Sequence, residues 1–115
     1  MTGQPQDLGA GHWLEFISWS PDRDLNPQYE GIPDVPRWGA IVGHPLQPGD
    51  TQCAWRGECA AAVTFAGDVQ LLVAPDATVW EVQAWEPLTL FPSLLCHCGD
   101  HGFIRSGRWV AAQVP

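Results

Sequence analysis

The chain contains no lysine. Its five basic residues are all arginine, set against 13 carboxylates, which leaves a net charge of −8 over 115 residues. A protein that grips nucleic-acid phosphates needs clustered cations to displace counterions, so this balance excludes a nucleic-acid backbone as the partner. No apolar run approaches the ~20 residues that span a bilayer. Residues Met1 to Gly11 lack both a basic segment and an apolar core of the signal-peptide kind. A membrane role and signal-directed secretion are therefore not expected, and the cysteines are expected to meet a reducing compartment. Gly-x-Ser-x-Gly, His-Glu-x-x-His and phosphate-loop motifs are missing too, which removes the common hydrolase and nucleotide-binding signatures. Sustained helical periodicity is absent, and 11 prolines are spread so as to interrupt it.

What is present reads as β structure. His12 to Trp19 alternates with apolar groups on both faces, and Trp38 to His44 is a second β-prone run. Ala61 to Phe65 and Val69 to Val73 are separated by Ala66-Gly67-Asp68, which predicts a hairpin. Thr78 to Trp85 alternates as a strand. Pro87 and Pro92 break up the extended segment that follows. Phe103 to Val110 predicts a hairpin turning at Ser106-Gly107. The expected fold is mostly β: a small single-domain sandwich or open barrel, zinc-stabilised. Residues 1–11 read as a flexible N-terminal arm and 12–115 as one β-rich domain. Between the first two strands, Ser20 to Pro36 holds four prolines and no periodicity, so a long irregular loop is expected there. Tyr29 and Trp38 are the candidate partner-binding residues on and beside it.

All four cysteines fall in two short segments, Cys53 with Cys59 and Cys96 with Cys98. Cys98-x-x-His101 has the spacing that lets a turn offer two soft ligands to one ion, and Cys53-x5-Cys59 offers a second pair. An extended Cys96-x-Cys98 would hold its sulfurs ~6–7 Å apart, whereas thiolates sharing one tetrahedral zinc lie about 3.8 Å apart. The preferred ligand set is therefore Cys53, Cys59, Cys98 and His101 for a structural Zn2+, with Cys96 as the alternative ligand or a buried thiol. A set of all four cysteines stays open. Four protein ligands would leave no open coordination position, and neighbouring residues such as Asp100 and His101 rarely face one another usefully, so catalysis is not expected. His12 and His44 read as ordinary polar residues at strand edges.

The run Pro87-Leu88-Thr89-Leu90-Phe91-Pro92-Ser93-Leu94-Leu95-Cys96, then Cys98-Gly99-Asp100-His101-Gly102-Phe103-Ile104 and Gly107-Arg108-Trp109-Val110, resembles a family of small proteins of unknown function. These are encoded by phages and prophages, notably of actinobacteria, and some distant members carry a spurious ammonia monooxygenase label. Ser18-Trp19-Ser20-Pro21-Asp22-Arg23 and Asn26 to Pro33 resemble the actinobacterial branch. Phe91 stands where relatives have a small residue, and Cys98 and His101 are separated by two residues where relatives have a Cys-His-Ser-Phe-type motif. The resemblance implies a phage setting and supplies no activity. The expectation is a non-enzymatic phage-encoded protein-binding module, either an accessory virion protein of capsid or tail or an intracellular effector that binds a host protein. It would reside in the virion or in the host cytoplasm during infection. A small metal-dependent enzyme is the third reading.

Overall fold

Alternating apolar residues build the first half of the molecule. The computed structural model of the chain describes residues 5–45, 58–96 and 100–112. In β2 (His12–Trp19) His12, Leu14 and Phe16 are buried while the intervening residues are half-covered. In β3 (Val35–Pro45) Ala40, Val42 and His44 fill the same inward face. The two strands pair antiparallel, with Leu14 opposite Val42 and Phe16 opposite Ala40, so their inward rows lie side by side. β4 (Glu58–Phe65) continues the sheet on the far side of β3, placing Cys59 opposite His44 and Val63 opposite Ala40.

Residues 6–9, expected to be part of an arm, instead form β1 (Gln6–Gly9) on the free side of β2. Leu8 is fully buried in the core. One apolar side chain among polar neighbours leaves no periodic signal, yet its burial is what holds the strand down. The turn into β2 runs through Gly9, Ala10 and Gly11, all with positive φ (82°, 53° and 79°). Glycine at two of these positions keeps the left-handed turn inexpensive.

Val69 to Val73, expected to be a strand of a hairpin, belongs instead to the short helix α1 (Asp68–Val73). The adjacent Leu71 and Leu72, exposed in the structure, do not alternate with the core. Gln70 is buried and caps both ends: its Oε1 accepts from Gly67 N at 3.3 Å and its Nε2 donates to Ala74 O at 2.9 Å. The helix lies within a crossover, because β5 (Val79–Trp85) pairs parallel to β4 and parallel neighbours cannot be joined by a tight hairpin. β6 (Leu88–Phe91) then returns antiparallel to β5. The strand order β1-β2-β3-β4-β5-β6 gives one curled sheet, a half-barrel.

A second sheet comprises β7 (Leu94–Leu95), β8 (His101–Arg105) and β9 (Arg108–Ala111). The β8–β9 turn is at Ser106-Gly107, as the sequence predicts, with φ of 51° and 73°. This small sheet lies between the two edges of the half-barrel. β8 approaches β6, where Gly107 N donates to Leu88 O at 2.7 Å, and β9 approaches β1. Ile104 and Leu94 seal the core from this side, packing with Leu8, Leu14 and Leu90. The fold is mostly β, an open barrel closed by a small sheet, with the long proline-rich loop as expected.

That loop is organised around one arginine. Arg23 Nη2 donates to Ile32 O at 2.6 Å and to Asp34 Oδ1 at 2.7 Å, and its Nε donates to Tyr29 O at 3.2 Å. Ser20 Oγ donates to the other carboxylate oxygen of Asp34 at 3.0 Å. These two hydrogen bonds, from Arg23 first and Ser20 second, hold the Asp34 carboxyl below its ordinary value of 3.8. A depressed carboxylate contributes stability that is fully present above the unfolded value and is lost as pH falls through the folded one. The Asp34 carboxylate is accordingly expected to titrate below 3.8 by carbon-detected NMR, and Arg23→Gln is expected to move the midpoint back up.

Candidate metal centre

Three strands place ligand-type side chains in one row. His44 of β3 faces Cys59 of β4 in register. Continuing the β2–β3 register by one residue sets His12 beside His44, with ring centroids 5.2 Å apart. Strand spacing alone therefore brings His12, His44 and Cys59 together on the inward face. All three are buried, at 8%, 4% and 0% exposure. From the opposite side the small sheet supplies Cys96, after β7, and Asp100, before β8. These two are tied to each other by Cys96 N donating to Asp100 O at 2.8 Å. The ligand atoms form two overlapping groups, His44 with Cys59 and Cys96, and His12 with His44 and Asp100, each within 4.8 Å. His44 is common to both.

The hydrogen bonds fix which ring nitrogens face inward. His12 Nδ1 lies 2.9 Å from Ala10 O and His44 Nδ1 lies 2.8 Å from Pro45 O. A carbonyl oxygen only accepts, so both Nδ1 atoms carry the proton, and in the neutral ring Nε2 presents a lone pair. Those Nε2 atoms lie 2.6 Å (His12) and 3.6 Å (His44) from the same oxygen, Asp100 Oδ2. A lone pair and a carboxylate oxygen at 2.6 Å repel unless a proton or a metal cation lies with them. This is the arrangement in which backbone carbonyls orient histidine ligands toward a cation.

Sulfur chemistry completes the cluster. Cys59 Sγ and Cys96 Sγ are 3.2 Å apart, far beyond the ~2.05 Å of a disulfide bond. Cys59 is itself disulfide-bonded, so it offers a thiolate to a metal only when reduced. The group can thus hold a metal ion through nitrogen, sulfur and oxygen donors, and its sulfur half depends on redox state.

Trp109 covers the cluster from β9, its ring stacked on His12 at 4.0 Å with a 9° interplanar angle. Gly102 makes room for it: a Cβ there would sit 2.5 Å from Trp109 Cζ2. Beside His44, Cys96 and Asp100 lies a half-open cavity of about 180 Å³, walled by Val42, Ala61 and Trp80, with Leu95 at its rim.

No family model, no curated protein and no solved structure matches the chain. Among the described residues, no helix is long and apolar enough to cross a membrane.

Of the ligands expected from sequence, Cys59 lies in the cluster, as does Cys96, the alternative. Cys53 and Cys98 fall outside the described residues. His101 turns elsewhere: its Nε2 is 2.8 Å from Ser93 Oγ and its ring lies over Phe103 at 6.4 Å. His12 and His44, read as ordinary polar residues at strand edges, are instead buried at the centre. Asp100, considered only as a neighbour of His101, joins them. The available signal was alternation: His12 falls in phase with Leu14 and Phe16, and His44 with Ala40 and Val42. Tyr29 and Trp38 both flank Trp19, at 5.3 Å and 5.7 Å, and are half-buried.

Replacing Asp100 by Asn removes the negative charge that holds a proton or cation between it and the two buried histidine Nε2 atoms, and is expected to cost about 1–3 kcal/mol in urea unfolding. Asp100→Asn combined with His12→Gln should cost less than the sum of the single changes, because the two groups depend on each other.

Proposed function

We propose that this chain is a phage-encoded, zinc-stabilised β module that acts by binding a protein partner, as an accessory component of a capsid or tail, without turnover of its own. The observation that supports it is the meeting of His44, Cys59 and Cys96, from β3, β4 and the segment after β7, at one point between the two sheets. One imidazole and two thiolates form a soft donor set suited to zinc. A cation there would join the half-barrel to the small sheet, which matters in a domain with a modest core. The reading requires Cys59 in its reduced form, as in a cytoplasm before assembly. The net charge of −8 fits a protein partner better than a nucleic acid. The partner surface in this reading is the braced loop, with half-buried Tyr29 and Trp38 on Trp19 and, in the same loop, Leu25 80% exposed.

Chain purified under reducing conditions without chelator is expected to carry about one zinc, and chelation should destabilise it by several kcal/mol. His44→Ala and Cys96→Ser should each abolish metal uptake. Metal well below one equivalent in the reduced protein would discard the zinc reading. Loss in Cys98→Ser with retention in Cys96→Ser would restore the ligand set expected from sequence.

The partner role is tested on particles. The protein should appear in purified virions in stoichiometric copies by mass spectrometry, and Tyr29→Ala should reduce that number. Tyr29→Ala should also cost about 0.5–1.5 kcal/mol of stability through its lost edge contact with Trp19. Abundance in infected cells with none in particles would replace the virion role with an effector role.

A further inference from the structure

We infer that a second cavity, at the opposite end of β3 from His44, binds a small zwitterion of the apolar amino-acid type. The cavity is half-open and measures about 240 Å³. It lies between the start of β3, the end of β4, the first residues of α1 and the end of β5. None of its lining residues belongs to the metal centre, so the site needs no metal.

Two opposite charges line it. Arg37 of β3 and Asp68 of α1 are both exposed on this cavity. Among the described residues, no ion pair or hydrogen bond engages either side chain, so the two do not neutralise each other. The Arg37 guanidinium instead lies over two aromatic rings, 4.6 Å from the centroid of Phe16 and 5.5 Å from that of Trp85. Stacking occupies the faces of a guanidinium and leaves its in-plane N–H donors, whose fork matches a carboxylate. Each charge also has a local use: Arg37 covers the Phe16 ring, and Asp68 lies in the first turn of α1, where a carboxylate is favoured. Neither use requires the two charges to border one cavity without meeting.

The occupant follows from these walls. A ligand bearing only a carboxylate would meet Asp68 and the net charge of −8, and one bearing only an ammonium would meet Arg37. A molecule carrying both groups answers both side chains. The remaining lining is apolar and aromatic, with Val35, Trp38, Phe65, Val69 and Trp85. Phe65 and Trp85 meet edge to face at 5.6 Å, and Trp85 stays 44% exposed, which suits an aryl or branched aliphatic body. A volume of about 240 Å³ is below the ~300 Å³ at which sites for drug-sized ligands begin, so the occupant is a single amino acid rather than a peptide.

The test is an NMR titration of the intact chain with L-phenylalanine, followed through the indole N–H signal of Trp85. A saturable shift is expected. Phenylacetate and phenethylamine, which each lack one of the two charges, should bind about tenfold or more weakly. Arg37→Gln and Asp68→Asn should each weaken L-phenylalanine by a similar factor. Asp68→Asn keeps the size of an exposed side chain, so it reads the charge without disturbing the packing that Arg37 gives Phe16. No saturable shift, equal binding of either singly charged probe, or unaltered affinity in either variant overturns the zwitterion site.

Discussion

The seam between the half-barrel and the small sheet depends on one carboxylate oxygen. Asp100 Oδ2 faces the Nε2 atoms of His12 and His44, and both rings are locked by backbone carbonyls behind them. The two imidazoles are buried among apolar and aromatic side chains. Burying such groups is costly unless each finds a partner, so the two sheets can close only in the relative position that satisfies them. The apolar contacts of Leu8, Leu94 and Ile104 supply attraction across the same seam, but attraction of that kind is non-directional. Registry between the sheets comes from the histidines and Asp100.

Several features elsewhere serve that contact. The left-handed Gly9-Ala10-Gly11 turn delivers the Ala10 carbonyl to His12. Gly102 lets Trp109 lie flat against the His12 ring. The exchange of sequence distance for proximity is large: His12 and Asp100 are 88 residues apart, and Cys59 and Cys96 are 37 apart. No local motif spans such separations. A sequence reading keyed to short spacings accordingly favours Cys98-x-x-His101, whereas the sheet register selects His44 beside Cys59.

The parts of the fold carried by local pattern were legible. Alternation located β2 and β5, a β-prone run located β3, the Ser106-Gly107 pair located the last hairpin, and the proline-rich stretch marked the loop. Strand β1 was hidden because one leucine carries its burial, and α1 because its apolar residues fit a short strand as well as a short helix. The site was half legible. Cysteine attracts notice by rarity, so Cys59 and Cys96 stood out. His12 and His44 share the inward phase of their apolar neighbours, but that they meet each other and Asp100 follows only once three strands and a second sheet are placed.

The brace around Arg23 joins residues no more than 14 positions apart, from Ser20 to Asp34. Contacts this close in sequence close small loops, so their entropy is recovered early, while the seam contacts must await distant chain. During synthesis, β2, the braced loop and β3 leave the ribosome as a complete antiparallel unit. His12 and His44 are then side by side on its face with Asp100 still untranslated. Asp100, which faces both imidazoles, is added to the chain only after β1 to β7.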